Sequence, residues 1–151
     1  MTEPVTEKLI ARAKAVQILK KLPVFNGLLE EEYFKVLSMC SSKAIAKGEV
    51  IFNEGDDGDS SYILLSGGID IIVEGKGIIH HMHGGEILGE IGLVTNSQRT
   101  ASAVANSDSV MLHLYADILH EVVKKHPRIG YIIMLNIAKI LADRLKLTNS
   151  K

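Results

Sequence analysis

The sequence predicts an α+β fold in which an antiparallel jelly-roll β-barrel is flanked by helices at both ends of the chain. Apolar residues recur at helical spacing in residues 5–40 and 116–148. Residues 42–115 instead contain short apolar runs, spaced by roughly ten residues and separated by glycines, which is typical of an antiparallel sandwich or barrel. The length suits one domain, and we expect a single domain over residues 1–151.

Two helices are predicted before the strands. The helical pattern covers residues 5–21 and then residues 30–39. Pro23 lies between them, and because proline has no backbone N–H to donate, we expect it to end the first helix. The apolar face of the second helix contains Tyr33, Phe34, Val36 and Leu37.

Short strands are predicted in the middle of the chain, where apolar runs lie between glycines. These strands cover residues 50–52, 62–65, 69–73, 78–79 and 110–112. Gly75-Lys76-Gly77 separates two of them. Glycine adopts the positive φ that tight hairpin turns need, so this tripeptide predicts a hairpin.

Two helices are predicted after the strands, over residues 117–125 and 128–148, with Pro127 between them. The longer helix has two neighbouring apolar stripes and a polar face. One stripe contains Met134, Ala138, Leu141, Leu145 and Thr148, the other Ile133, Ile137, Ile140 and Leu147, and the polar face Asn136, Lys139, Asp143 and Lys146. Two stripes exceed what one contact within the chain requires, so we expect a homodimer through this helix. The alternative is that both stripes are buried within the chain.

Composition and charge argue against several classes of function. The net charge of −1 differs from that of proteins that grip nucleic acid, which are usually basic. The single cysteine, Cys40, cannot form an internal disulfide, which fits a reducing compartment. The longest apolar stretch, residues 130–140, is interrupted by Asn136 and Lys139 and is too short to span a bilayer. We therefore expect a cytoplasmic protein that binds neither DNA nor a membrane.

Residues 85–102 contain the side chains best suited to binding a ligand. Gly89 lets the backbone pass close to a ligand, and residues 90–94 can form one helical turn whose N–H groups favour an anion. Arg99 supplies a planar cation that matches phosphate oxygens. The carboxylate of Glu90 has the wrong charge for phosphate, but it accepts hydrogen bonds from sugar hydroxyls. For each residue alone, the alternative is a tight turn with solvated charges.

Two motifs in this segment carry a family resemblance. They are Gly89-Glu90-Ile91-Gly92-Leu93 and, nine residues after the glutamate, Arg99-Thr100-Ala101-Ser102. Together they resemble the phosphate-binding cassette of cyclic-nucleotide-binding domains, which occur in protein kinase A regulatory subunits, cyclic-nucleotide-gated channels and bacterial catabolite activator proteins. Residues 55–62 with Gly67 resemble the family's early strand–turn–strand element, and residues 22–37 resemble its first helices. The resemblance covers residues 22–148 and implies a regulatory domain that is not an enzyme.

The resemblance implies a role for each cassette residue. Glu90 would bind the ribose 2′-hydroxyl, and Arg99 would pair with the cyclic phosphate. Gly89 would permit the turn. The phosphate cradle would be completed by the backbone N–H groups of Ile91 and Gly92, with Thr100 and Ala101. Gly67 would be a turn glycine of the barrel, with a structural role.

The base is the part of the ligand that the sequence specifies least. A threonine at the position of Thr100 contacts guanine in family members that respond to cyclic GMP, but bacterial cyclic-AMP receptors often carry a hydroxyl there too. Residues 144–149 resemble the end of the dimer helix in the bacterial activators. By that resemblance Thr148 and Asn149 would cap the purine and favour cyclic AMP. The alternative is that they form a frayed helix end.

These features predict a stand-alone regulatory module that uses no cofactor and binds cyclic AMP or cyclic GMP, with cyclic AMP favoured. Phosphate capture would tighten the cassette and move the hinge after Tyr115. The long helix would then close over the base or re-set a dimer interface. The chain ends at Lys151 without a helix-turn-helix, so we expect the signal to pass to a separate, unidentified effector protein.

Two alternative functions stay open. His80, His81 and His83 lie together, and His81, His83 and Glu86 nearly resemble the first metal motif of cupins, which are also β-barrels. The glutamate is closer than cupins place it, and a second motif is lacking. The other alternative is an interaction module of the same fold that binds no nucleotide. Nucleophilic catalysis at Cys40 is not expected, because the sequence assigns it no base.

Overall fold

The computed structural model describes residues 5–149, and side chains from Leu9 onward. The described residues divide into two compact units. A helical unit comprises residues 5–39 and 120–149, and a sheet unit comprises residues 40–119. The site of interest lies in the sheet unit.

The helices agree with the sequence prediction to within one residue at each end. They are α1 (Val5–Lys21), α2 (Glu30–Met39), α3 (Ala116–Lys125) and α4 (Pro127–Asn149). Pro23 follows α1 and starts a short 3-10 turn, Pro23–Phe25. Proline suits that position because its fixed φ matches the first residue of a helical turn.

The polar face predicted for α4 is wrong at one residue, because Asn136 is buried in the helical unit. Its Nδ2 donates to the carbonyl oxygens of Val24, at 3.0 Å, and Asn26, at 2.8 Å. These two carbonyls belong to the 3-10 turn and its end, where the chain leaves backbone acceptors that no helix satisfies. A buried carbonyl without a donor is costly, so this turn needs the amide of Asn136.

The two apolar stripes of α4 have different surroundings. Ile133 and Ile137 are buried within the chain, together with Ile129 one turn earlier. In the other stripe Met134, Leu141 and Leu145 are 51%, 44% and 62% exposed. Leu147, which was predicted on the same stripe as Ile133 and Ile137, is also exposed. The stripe of Ile133 and Ile137 is therefore buried only in the first half of α4, and the stripe of Met134, Leu141 and Leu145 forms an apolar seam on the surface, here called the α4 seam.

The sheet unit contains strands throughout, and every predicted strand is present within a longer or equal one. The strands are β1 (Ser41–Ile45), β2 (Val50–Phe52), β3 (Asp57–Gly58), β4 (Ser60–Ser66), β5 (Gly68–Val73), β6 (Gly77–His83), β7 (Ile87–Leu88), β8 (Ser97–Gln98), β9 (Ser102–Ala105) and β10 (Ser109–Tyr115). The predicted hairpin joins β5 to β6, and its two glycines have φ of 82° and 80°.

The α+β class with antiparallel sheets is confirmed, but the strands do not close into a barrel. In the described residues they form two four-stranded sheets, in the orders β1-β10-β4-β7 and β2-β9-β5-β6, and a two-stranded ribbon of β3 and β8. Each sheet has one short edge strand, β7 with two residues in the first sheet and β2 with three in the second. Strands of this length offer few N–H and C=O groups, so a hydrogen-bonded ladder does not continue through them from one sheet to the other.

Side chains from both sheets form one hydrophobic core. The core residues are Tyr62, Leu64 and Met111 from the first sheet and Ile69, Ile71, Met82, Ala103 and Ala105 from the second. Between β4 and β5, Gly67 has φ of 97°, and a Cβ there would lie 2.2 Å from the hydroxyl of Ser109. This close approach gives Gly67 the structural role that the resemblance implied.

Candidate functional site

The predicted helical turn of the cassette is present as a 3-10 helix, Glu90–Leu93, directly after β7. Gly89 precedes it in the left-handed conformation, with φ of 77°. A Cβ at Gly89 would lie 2.7 Å from Nη1 of Arg99, and one at Gly92 would lie 2.5 Å from the carbonyl oxygen of Ser60. Gly92 is therefore required by its close approach to the backbone of Ser60, whereas Gly89 is required by its left-handed conformation, and a Cβ there would displace the guanidinium of Arg99.

The backbone of Arg99 is fixed from both sides. Its N–H donates to the carbonyl of Asp56 at 2.7 Å, and its carbonyl accepts from the N–H of Gly55 at 2.8 Å. The ribbon of β3 and β8 ends beside it, and a Cβ at Gly58 would lie 2.9 Å from Nε of Arg99. The glycine-rich loop and the segment before Arg99 thus form one rigid support for this side chain.

The guanidinium of Arg99 lies in a half-buried aromatic environment. Its central carbon is 4.4 Å from the ring centroid of Phe52 and 5.8 Å from that of Tyr62, which is cation–π geometry. Nη2 donates to the carbonyl of Ser60 at 3.0 Å and to its hydroxyl at 3.2 Å. Nε is buried and, among the described residues, has no hydrogen-bond acceptor.

Burial lowers the pKa of Arg99, and the nearby tyrosine and aspartate side chains oppose that effect. An arginine nonetheless keeps its proton in a protein, so the site holds a partly desolvated cation with one unsatisfied donor. A buried donor without an acceptor is costly. A ligand anion that accepts from this donor would remove the cost and complete the charge pair.

Glu90 is the first residue of the 3-10 helix and is only 7% exposed. The backbone N–H of Gly92 donates to the carbonyl of Gly89 at 2.9 Å, which closes the turn. Ile91 is half-buried and Leu93 is fully buried, so the turn is anchored by its apolar residues. The carboxylate of Glu90 is thus carried by a turn that packs backbone to backbone against Ser60.

The remaining predicted site residues fall in two places. Thr100 is exposed, and Ala101 is half-buried against the hydrophobic core. Thr148 and Asn149 lie in the helical unit at the end of α4, where the hydroxyl of Thr148 donates to the carbonyl of Arg144 at 3.1 Å. The cassette residues therefore all lie in the sheet unit, and the residues of the predicted purine cap lie in the helical unit.

Ser60 is a site residue that sequence reasoning missed. It accepts two hydrogen bonds from Arg99, and its backbone is approached by both Gly89 and Gly92. It is the first residue of β4 and is buried. A lone serine before a strand gives no chemical signal, although it lies in the segment 55–62 that resembled the family's strand–turn–strand element.

The histidines on β6 form pairs with acids. Nδ1 of His81 is 2.5 Å from Asp70 on β5, and Nε2 of His80 is 2.7 Å from Glu86. The carboxylate of Glu86 also accepts from the backbone N–H of His83 at 2.5 Å. Within residues 9–149, no three His, Cys, Asp or Glu side chains are arranged to hold a metal ion. The observed pairing therefore gives the cupin-like alternative no support.

Cys40 has a protonated thiol, because burial raises its pKa to about 12. The thiolate is the nucleophilic form of cysteine, so this side chain is poorly suited to catalysis.

In residues 5–149 we find no helix that combines the length and the apolar character needed to cross a membrane.

Comparison with known proteins identifies the family to which the chain belongs. The chain matches the cyclic nucleotide-binding domain family over residues 42–126. It is 30% identical over 132 residues to the cyclic AMP receptor protein of Thermus thermophilus, covering 85% of this chain and 59% of that protein. It is 30% identical over 100 residues to a cAMP-dependent protein kinase type II regulatory subunit of Drosophila melanogaster, covering 66% of this chain and 26% of that one. The chain thus spans less than two thirds of the length of each of these curated relatives.

Solved structures share the same fold. The N-terminal domain of a transcriptional regulator from Streptomyces coelicolor superposes with a TM-score of 0.78 at 25% identity, over 88% of this chain and 93% of that one. The regulatory domain of Toxoplasma gondii PKA, crystallised with cAMP, superposes with a TM-score of 0.68 at 26% identity, over 77% and 46% of the two chains.

Proposed function

The chain belongs to the cyclic nucleotide-binding domain family, and we propose that it is a regulatory module that binds cyclic AMP in preference to cyclic GMP. One observation carries this proposal: the cationic side chain of Arg99 has a buried Nε donor without an acceptor, beside a glycine turn that excludes any Cβ. A cyclic phosphate supplies the negative charge and the acceptor oxygens that this arrangement lacks.

The other cassette residues fit the roles that the family resemblance implies. Glu90 would accept a hydrogen bond from the ribose 2′-hydroxyl, and the backbone N–H of Ile91 would donate to the phosphate. The N–H of Gly92 would have to be shared between the phosphate and the carbonyl of Gly89. Thr100 is exposed and follows Arg99, so its hydroxyl is available to the ligand.

The preference for cyclic AMP rests on two supports. The Thermus relative is a cyclic AMP receptor protein and the Toxoplasma structure contains cAMP. In this chain Thr148 and Asn149 carry a hydroxyl and an amide at the end of α4, the two groups suited to the polar edge of adenine. We propose that they cap the purine when the ligand is bound.

The proposed output is a movement of the C-terminal helices. Ala116, the first residue of α3, donates its N–H to the carbonyl of Asp59 at 2.9 Å, and Asp59 adjoins Ser60. A change at Ser60 caused by phosphate capture therefore reaches the start of α3 through one residue. The α4 seam would serve a homodimer, and the signal would pass to a separate effector protein in the cytoplasm.

Calorimetric titration of cyclic AMP and cyclic GMP tests the binding proposal. Arg99→Leu should weaken binding by about 2–5 kcal/mol, which is more than tenfold, because the phosphate loses its charged partner. Arg12→Leu, at an exposed position of α1, is the matched control and should bind like wild type. Tighter binding of cyclic GMP would reverse the base preference. Absence of binding to wild type would overturn the proposal and favour a module that acts only through protein contacts.

A further inference from the structure

A buried histidine is linked to Arg99 through Ser60. Nε2 of His113, on β10, is 2.7 Å from the hydroxyl of Ser60, and the same hydroxyl is 3.2 Å from Nη2 of Arg99. Both His113 and Ser60 are 3% exposed. The three side chains thus form a continuous hydrogen-bonded chain from β10, through the neighbouring strand β4, to the cassette arginine.

The protons in this chain can be assigned from donor and acceptor chemistry. Arg99 can only donate, so the hydroxyl oxygen of Ser60 accepts from it. The single hydroxyl proton is then free to go to His113, provided that Nε2 carries no proton. In that tautomer the serine both accepts and donates, and its hydroxyl cannot rotate without breaking one of the two bonds. Protonated His113 would donate from both nitrogens, and the serine hydroxyl would lose its acceptor.

The surroundings of His113 keep its ring neutral and fixed. Burial lowers its pKa to about 4, with the charges of Lys43 on β1 and Arg99 acting in the same direction and Asp59 opposing them. The ring is stacked on Tyr62 of β4, with centroids 4.1 Å apart and planes 13° apart. Its other neighbour is Tyr115, at 4.0 Å between centroids. At neutral pH the imidazole is therefore uncharged and held in one plane, and in the tautomer protonated at Nδ1 its Nε2 accepts from Ser60.

We propose that His113 is a positioning residue for Arg99: through the hydroxyl of Ser60 it holds Nη2 on the protein and so fixes the orientation in which the guanidinium meets the ligand phosphate. This inference rests on the proposed function of the site. Without the link, the serine hydroxyl can rotate, and the guanidinium loses one of its two fixed acceptors. Because Nδ1 of His113 has no partner among the described residues, the Nε2 bond is what the imidazole contributes.

Nucleotide affinity of a mutant set tests this role. His113→Phe keeps a flat ring between the tyrosines but removes the acceptor, and we expect it to weaken cyclic AMP binding about tenfold. His113→Gln restores an acceptor and should recover affinity to within about threefold of wild type. His120→Phe, an exposed position on α3, is the control for histidine replacement and should have no effect.

A double-mutant cycle separates positioning from a general structural effect. If His113 acts through Ser60, His113→Phe should weaken binding no further in a Ser60→Ala background. Fully additive effects of the two substitutions would overturn the proposal, as would wild-type affinity in His113→Phe. Thermal unfolding of each variant identifies any that fail to fold. If His113→Phe does not fold, the affinities of His113→Gln and Ser60→Ala test the proposal in its place.

A measurement without ligand distinguishes failure of this proposal from failure of the proposed function. The Nε–H resonance of Arg99 in ¹⁵N NMR reports directly on how the guanidinium is held. We expect a slowly exchanging signal in wild type and His113→Gln, and a broadened or fast-exchanging one in His113→Phe. If wild type binds no nucleotide but this pattern appears, the link stands and the binding proposal fails. An unchanged Arg99 signal in His113→Phe overturns the link, whether or not nucleotide binds.

Discussion

At the residue scale, the turn of the cassette depends on two glycines, which have no Cβ atom. Gly92 brings the turn against the backbone of Ser60 at a distance that leaves no room for a Cβ, and a Cβ at Gly89 would displace the guanidinium of Arg99. The turn was predicted from the sequence because glycine spacing is a local signal, and it is present as a 3-10 helix. Anion binding by this turn and by Arg99 stays a prediction. Ser60 and His113 were not predicted. They are 53 positions apart in the chain, and their link exists only after β4 and β10 pair.

Replacing Gly89 tests the close approach separately from backbone strain. Gly89→Ala places a methyl group 2.7 Å from Nη1 of Arg99 at a φ of 77°. Gly85→Ala is the matched control, because its φ is 96° but a Cβ there has nothing within 4 Å. Both variants should lose about 1–2 kcal/mol of unfolding free energy from left-handed strain. Only Gly89→Ala should also weaken nucleotide binding, and equal affinities in the two variants would contradict this reading.

The buried histidine predicts a dependence of stability on pH. In the unfolded chain His113 has its ordinary pKa of about 6.5, and in the folded protein burial lowers that pKa to about 4. Between these values the unfolded chain binds more protons, so stability falls as pH drops from about 6.5 to about 4. Above that range this residue causes no change. The loss attributable to His113 is at most about 3 kcal/mol.

Urea unfolding at pH 7 and pH 4 measures this loss in wild type and in His113→Phe. The phenylalanine variant has no ring to protonate, so its stability should fall less on acidification. His120→Phe, at an exposed position, should follow wild type. Parallel losses in wild type and His113→Phe would show that the buried ring does not control this transition.

At the element scale, helices were predicted to within one residue, whereas about half of the strands were not predicted. The unpredicted strands are β1, β3, β7, β8 and β9. β1 reads Ser-Ser-Lys-Ala-Ile and β9 reads Ser-Ala-Val-Ala, so neither has the β-branched run that marks a strand. They are strands because β10 and β5 pair with them, which is tertiary context overriding local preference. Asn136 was likewise misassigned, since its partners are carbonyls of a distant turn.

The α4 seam makes a prediction about assembly. Met134, Leu141 and Leu145 lie on one side of α4 and are exposed, although each is a large apolar residue. If the seam forms the proposed homodimer, Leu145→Glu should convert a dimer to a monomer in size-exclusion chromatography with light scattering, because it buries an unpaired charge in the interface. Lys139→Glu, on the polar face of the same helix, should leave the dimer intact. A wild-type protein that is monomeric at high concentration would contradict the dimer proposal.

At the scale of the whole molecule, the site and the helices that follow it are connected through a few residues of the sheet unit. Tyr115 is the last residue of β10, pairs with Ser60 in register, and contacts the ring of His113. The next residue, Ala116, is bonded to Asp59. The start of α3 is thus attached to the same point of β4 that receives Arg99. We therefore expect a ligand that repositions Arg99 to act on the segment where α3 begins.

This connection predicts that ligand binding changes the helices and not only the cassette. A ligand shifts a conformational equilibrium only if it binds one arrangement more tightly than the other. Hydrogen exchange of residues 116–149 should therefore differ between free and cyclic-AMP-saturated protein, with the change beginning at α3. Arg99→Leu, at a nucleotide concentration that saturates wild type alone, should retain the exchange pattern of the free protein. Arg12→Leu should respond like wild type, which separates loss of phosphate capture from loss of any surface arginine. Identical protection of these helices with and without bound nucleotide would mean that the cassette binds its ligand without moving α3 and α4, and the output would then have to pass through the sheet unit itself.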